Sequence, residues 1–265
     1  MRDGKAPSGV AVCAGARAGR LSVVASRVLD MTAMPSEHVS LLPPGVPEAD
    51  GGHTVVVEWS SEAPARIAEL VRAPGVTGLR IRPGAEAAEA DDEYWSDEPD
   101  FDEDGKPLLP PHEAGGLAGL DLGGIGELDL AHFRFGDPGA TSLAAASSDG
   151  RIETLDLRYC GIGDDGVAAL ARSATFRGVR RLHLQSNALT AEGVRALAGF
   201  ERLRELDLRY NRIGADGARA LLAAPFVGSL TRLLLYRRDV SDAGVAVLAS
   251  APQLPSALRS FWRSV

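Results

Sequence analysis

The stretch Leu206-Asp207-Leu208-Arg209-Tyr210-Asn211-Arg212-Ile213-Gly214-Ala215-Asp216-Gly217-Ala218-Arg219-Ala220-Leu221 decides how the chain folds. Leu206, Asp207 and Leu208 alternate apolar, polar, apolar, the period of a short strand with one buried face. Asn211 follows where the chain must turn, and its short amide can bond the backbone of a bend. Asp216 then falls in the first turn of a helix, where a carboxylate complements the helix dipole. Ala218 and Leu221 recur at helical spacing. Strand, bend and helix are compressed into one short unit.

The unit returns. Ile152 leads Leu155, Leu157, Cys160, Ile162, Gly166 and Leu170; Val179 leads Leu182, Leu184, Asn187, Leu189, Gly193 and Leu197. Leu230 leads Leu233, Leu235, Arg238, Val240, Gly244 and Leu248, and upstream Ile125 leads Leu128, Leu130, Phe133, Phe135, Gly139 and Leu143. The starts Ile125, Ile152, Val179, Leu203 and Leu230 lie 27, 27, 24 and 27 residues apart. Phe133 and Arg238 stand where the others have Asn or Cys, so the first and last bends are expected to be irregular. Gly163, Thr190, Gly214 and Ser241 occupy N-cap positions, and Pro225 and Pro252 stop their helices.

A period of this length with this spacing matches a leucine-rich repeat, and the helix in each unit resembles the ribonuclease-inhibitor type, with units much like those of large bacterial repeat proteins. The resemblance is clear over residues 125–250, weak over 53–82 and absent before about residue 50. It implies an α/β solenoid, a horseshoe with parallel strands on the concave face and helices on the convex face. It also implies a protein partner on that sheet, without naming one.

Outside the clear repeats the chain divides by composition. Residues 1–50 are rich in Gly, Ala, Ser and Pro and read as a disordered or loosely attached leader. The apolar stretch around Val10 to Ala16 is too short and too weak for a signal peptide, and a translation start at Met31 or Met34 is an alternative to a real leader. Residues 51–84 form a degenerate N-terminal repeat, with a strand at Val55 to Val57, a helix at Ala65 to Arg72, and Leu79 one repeat of 24 residues after Val55. Residues 85–116 are an acidic insertion flanked by prolines: Glu86 to Asp104 hold eleven acids and no base. Residues 117–251 carry the leucine-rich repeats. Leu117, Leu120 and Leu122 also fit a strand but lie too close to Leu128 for a full repeat. Residues 252–265 are a C-terminal cap, with Leu258, Phe261 and Trp262 as a truncated last strand covering the open core.

Net charge is −8, of which the insertion alone carries −11. From Arg151 onward seventeen arginines face eleven acids. The scarcity of lysine fits a GC-rich genome rather than a device for nucleic acid. No run of eighteen apolar residues argues for a membrane helix. Two cysteines, Cys13 and Cys160, are too few for a disulfide framework and fit a reducing, cytoplasmic setting.

The motifs that could carry chemistry are weak. Gly161, Gly163 and Gly166 have dinucleotide-loop spacing after a strand and before a helix, but the next repeats carry the same template, so no cofactor is expected. The five histidines have no metal-ligand spacing, which leaves no metal site. The acidic insertion lacks the spaced oxygens of a calcium loop.

The informative surface is the concave face, to which each repeat sends three side chains. The expected partner-binding residues are Asp129, Asp156, Arg158, Arg181, His183, Gln185, Asp207, Arg209, Arg232 and Tyr236. The plainer reading is that Asp156 pairs with Arg158, and Asp207 with Arg209, merely to keep the sheet solvated. Arg232, Leu234 and Tyr236 have hot-spot composition, unless the terminal segment with Trp262 covers them. The expectation is a non-catalytic scaffold that binds a protein through this face, with no nucleic acid, for want of an aromatic stacking platform, and no membrane. The alternative is an inhibitor or immunity-type protein whose acidic insertion blocks a basic enzyme.

Overall fold

The computed structural model describes residues 28–30, 52–84 and 114–264. Eight parallel strands form one sheet in strict chain order. They are β1 (Val28–Asp30), β2 (His53–Glu58), β3 (Val76–Arg82), β4 (Glu127–Asp129), β5 (Thr154–Asp156), β6 (Arg181–His183), β7 (Glu205–Asp207) and β8 (Arg232–Leu234). Helices α1 (Ala63–Leu70), α2 (Gly136–Ala144), α3 (Asp164–Arg172), α4 (Ala191–Ala196), α5 (Gly214–Ala223) and α6 (Arg237–Ser250) alternate with them, and α7 (Ser256–Ser264) follows. This is the α/β solenoid that the repeat demands. No helix among the described residues is long and apolar enough to cross a membrane.

The repeat leucines set the register. Leu79, Leu128, Leu155, Leu182, Leu206 and Leu233 are successive Cα partners across β3 to β8, and all six are buried. Each contributes about 2–3 kcal/mol through burial. Val55 pairs with Leu79, the partner that the 24-residue spacing indicates. On the helical side, Val167, Leu170, Val194, Leu197, Ala218, Leu221 and Leu248 close the same core. Buried Phe176, Phe200 and Phe226 fill the return from each helix to the next strand.

Polar side chains tie one repeat to the next where the backbone would otherwise lack partners. Asn187 donates to the Leu157 carbonyl at 2.8 Å and accepts from the Ile162 amide at 2.9 Å. Cys160 fills the same place one repeat earlier, its thiol reaching the Leu130 carbonyl at 3.2 Å. On the helical side, Asp137 caps α3 from the preceding repeat, accepting the Gly163 amide at 2.6 Å and the Gly166 amide at 3.0 Å. Asp164 repeats this one unit on, with the Thr190 amide at 2.9 Å and the Gly193 amide at 2.8 Å. A Cβ at Gly193 would crowd the Asp164 carboxylate oxygen that accepts its amide, so a larger residue there would have to displace this cap.

Four details differ from the sequence expectation. The C-terminal segment is a helix, α7, and not a truncated strand. Leu258 and Trp262 lie four residues apart on one side of α7, where Trp262 is buried and Leu258 packs against the core; Leu254, just before the helix, is buried too. Leu117, Leu120 and Leu122 are buried but form no strand of the sheet: a 3-10 turn at Gly115–Gly119 precedes a single bridge from Asp121 to Ser147, and β3 pairs directly with β4. Gly214 and Ser241 are left-handed, with φ of 62° and 64°, and Ser241 interrupts α6. Gly163 and Thr190 are N-caps, Thr190 accepting from the Glu192 amide. Within the leader, Val28–Asp30 pair with β2. The rest of the leader and residues 85–113 of the acidic insertion lie outside the described residues.

Candidate functional site

The parallel register arranges the strand-face side chains in lanes. The first lane runs Glu127, Thr154, Arg181, Glu205, Arg232 and the second runs Asp129, Asp156, His183, Asp207, Leu234. The third lies just beyond the strands: Ala131, Arg158, Gln185, Arg209, Tyr236.

The second lane faces inward on its own chain. Asp129, Asp156 and Asp207 are buried. Each turns one carboxylate oxygen onto the amide two residues ahead: Ala131 at 2.9 Å, Arg158 at 3.2 Å and Arg209 at 3.2 Å. Such a bond fixes the end of the strand, as an Asx turn does. The remaining charge is met by arginine. Arg158 and Arg209 each grip the aspartate of their own strand through Nε and Nη2, the latter at 2.6 Å. Asp129 has no arginine two residues on, and Arg80 of β3 supplies one at 2.6 Å. These carboxylates already have partners, so recognition rests on the arginines of the flanking lanes. Asp207 holds the Arg209 guanidinium well above its usual pKa, chiefly through their hydrogen bond.

In the first lane Arg181 bonds the Thr154 hydroxyl at 2.9 Å, and Arg232 stands 3.9 Å from Glu205. Both arginines are exposed. His183 and Leu234 are half-buried between flanking lanes.

The third lane joins residues that sequence reasoning did not select. Three residues after the ends of β4, β5, β6 and β7 the chain turns through a left-handed residue: His132 (φ 67°), Tyr159 (56°), Ser186 (54°) and Tyr210 (57°). This backbone state aims three aromatic rings along the rim of the sheet. His132 stacks on Tyr159 with centroids 4.6 Å apart. The Tyr159 hydroxyl accepts from Gln185 at 3.1 Å, and the Gln185 carbonyl oxygen accepts from Arg209 at 3.0 Å. The Arg209 guanidinium lies 5.9 Å from the Tyr236 ring centre. Tyr236 meets Tyr210 edge-on at 5.0 Å, and Arg238 sits over Tyr210 at 4.4 Å. Stacking, hydrogen bonds and cation–π contacts thus run without a break from His132 to Arg238. Burial, followed by the nearby Arg82 and Arg158, lowers the His132 pKa, which favours the neutral ring.

Tyr236 is 38% exposed, the one large hydrophobic side chain so exposed among the described residues, so the terminal helix does not cover this group. The last bend is irregular, as Arg238 at that position leads one to expect: α6 begins at Arg237 without the left-handed residue of the preceding bends, and the Arg238 side chain lies over two tyrosines. The adjacent Asp239 takes over the structural duty. It is buried, and its two oxygens accept from the Tyr210 amide at 3.2 Å and the Tyr236 amide at 2.6 Å. The available sequence signal was the position before Phe133, Cys160, Asn187 and Asn211, which reads His, Tyr, Ser, Tyr.

Among the described residues no group of three or more His, Cys, Asp or Glu side chains could hold a metal ion. The Gly163 and Gly166 amides, which would have to face a phosphate in a dinucleotide loop, are engaged by Asp137. Residues 152–171, 179–198 and 203–222 match the family model described as "Leucine Rich repeat". Comparison with curated proteins finds no match.

Proposed function

The chain is a leucine-rich repeat protein, and on that premise we propose that it is a non-catalytic scaffold that captures a protein partner on the concave sheet. Repeats of this kind generally serve protein–protein interaction, and stacked units offer an extended surface rather than an enclosed reaction site. The observation that carries the reading is the exposed Tyr236, braced by Tyr210, Arg209 and Arg238. Tyrosine and arginine held rigid by neighbours lose little entropy on binding and are the residue types that dominate interface energetics. Arg158, Arg181, Gln185 and Arg232 extend the surface along the first and third lanes, and His183 lies between them. Asp129, Asp156 and Asp207 orient these groups and make no direct contact with the partner. The inhibitor reading would place the contact on the acidic insertion instead.

The test is capture of a partner by the immobilised full chain from the native host, compared with Tyr236→Ala and Arg238→Ala. Both residues are exposed, and circular dichroism checks that each variant keeps the fold. The expected result is loss of most captured partner with Tyr236→Ala. Equal capture by both variants would move the site off this face, and loss only on removing residues 86–104 would favour the inhibitor.

A further inference from the structure

At the opposite end of the strands lies a second, chemically different feature. A cavity of about 260 Å³ is lined by Arg180, Arg202, Arg204, Glu201 and Ser229. Its rigidity comes from the repeat. The Arg180 carbonyl accepts the amides of Arg204 and Glu205 at 2.8 and 2.9 Å, and the Arg204 carbonyl accepts those of Thr231 and Arg232 at 2.7 and 3.1 Å. Arg180 and Arg204 therefore sit at the same repeat position on adjacent units, with neighbouring strands about 4.8 Å apart. Like charges in such neighbouring positions repel. Arg202 adds a third guanidinium, and Glu201 is the lone carboxylate in the lining.

The local countercharge is incomplete. Arg180 reaches Glu153 only at 3.5 Å, and both side chains are half exposed. Arg204 directs Nη1 to the Ser229 carbonyl at 3.2 Å, a neutral partner that orients it without cancelling its charge. The chain thus holds clustered positive charge on a fixed backbone frame. We infer that this cavity is a docking site for an acidic peptide segment of a protein partner, taking carboxylate side chains between Arg180, Arg202 and Arg204.

The volume falls just below the range of about 300–1,000 Å³ typical of small-molecule pockets, which suits a side chain of a docked segment better than a whole metabolite. No aromatic ring lines the cavity, so bases would find nothing to stack on. Glu153 and Glu205 flank it along the same edge, so a continuous phosphate backbone would meet repulsion where spaced carboxylates need not. The site lies apart from the Tyr236 group and stands independently of it.

The test titrates the full chain with a fluorescein-labelled peptide of alternating glutamate and glycine, a matched glutamine peptide, and a single-stranded oligothymidine. The glutamate peptide is expected to bind at low salt and to weaken as salt rises. Arg202→Glu with Arg204→Glu should cost about tenfold or more in affinity, while Tyr236→Ala should leave it unchanged; circular dichroism checks the fold of each. A second variant, with the acids from Glu86 to Asp104 changed to their amides, removes the chain's own acidic stretch as a competitor. Failure of the glutamate peptide to bind either background overturns the proposal. So does equal binding of the glutamine peptide, indifference to the double reversal, or tighter binding of the oligothymidine through the same arginines.

Discussion

Asn211 donates its side-chain amide to the carbonyl of Leu184, one repeat back, at 2.9 Å. Its own carbonyl oxygen accepts the Leu189 amide at 3.0 Å. Two backbone groups of one repeat are thus satisfied by a side chain of the next, in a place sealed from water. Asn211→Ala leaves both unpaired and opens a small void, and we expect a loss of about 3 kcal/mol. Asn211→Asp should be at least as damaging, because it keeps the acceptor but buries a charge. Urea unfolding measures both; a cost below about 0.5 kcal/mol for the alanine variant would mean that the bend holds itself.

Cys160 occupies that position with a weaker group. Burial pushes its thiol well above the usual range, and its proton points at the Leu130 carbonyl. It should therefore remain a thiol and resist alkylation in the folded protein. Iodoacetamide followed by peptide mass analysis should find the Cys160 peptide unmodified until denaturant is added. Rapid labelling in native buffer would show that this part of the spine opens readily.

Asp239 sets burial against hydrogen bonding. Burial raises its carboxyl pKa, while the amides of Tyr236 and Tyr210, and then Arg238, pull it down; burial prevails. The folded state then holds this proton at pH values where the unfolded chain has released it. The contribution of Asp239 to stability is present below the unfolded carboxyl pKa, near 4, and is lost as pH rises through the folded value. Unfolding free energies of wild type and Asp239→Asn, compared across this window, should show the wild type losing ground as pH increases. A wild type that gains ground would mean that the amide bonds win.

Arg209 has two roles, and its substitution should reveal both. Asp207 is buried beneath it, so Arg209→Ala strands a carboxylate and should cost about 2 kcal/mol. Arg158→Ala should cost less, because Asp156 is more open to water, at 12% side-chain exposure against 3% for Asp207. Thermal unfolding ranks the two. Equal losses would mean that the depth of the aspartate does not control the penalty.

The spine was legible because leucines at constant spacing leave little freedom once strands stack: Val55 with Leu79, and Leu155 with Leu182, pair as the period dictates. The pairs Asp156–Arg158 and Asp207–Arg209 were equally readable, since residues i and i+2 of an extended chain share a face. Trp262 was misjudged because a short apolar cluster after a proline suits a strand or a helix, and only the four-residue spacing from Leu258 to Trp262 decides. The aromatic rim was missed for a different reason. His132, Tyr159 and Tyr210 are positioned by a left-handed backbone, and non-glycine residues enter that region too rarely for sequence alone to suggest it. Arg80 is remote from Asp129 in sequence, and a partner brought in by the neighbouring strand leaves no local trace.

Ser186 shows what that left-handed rim costs. Its φ is 54°, in a region where a Cβ crowds the following carbonyl. Its neighbours in the same column compensate: Tyr159 stacks on His132, and Tyr210 packs against Tyr236 and Arg238. Ser186 makes no such contact, and its buried hydroxyl has no hydrogen-bond partner among the described residues. Ser186→Gly removes both the crowding and the unpaired hydroxyl while keeping the backbone bond from its amide to the Arg209 carbonyl at 2.9 Å. Against this stands the greater entropy of glycine in the unfolded chain. The balance should be a gain of about 1 kcal/mol, seen as a rise of about 2–4 °C in Tm. Tyr210→Gly relieves the same crowding but forfeits the ring contacts, and it should lower Tm. If both substitutions destabilise, the left-handed turn is set by the side chains themselves; if both stabilise, the ring contacts on the rim contribute little to the fold.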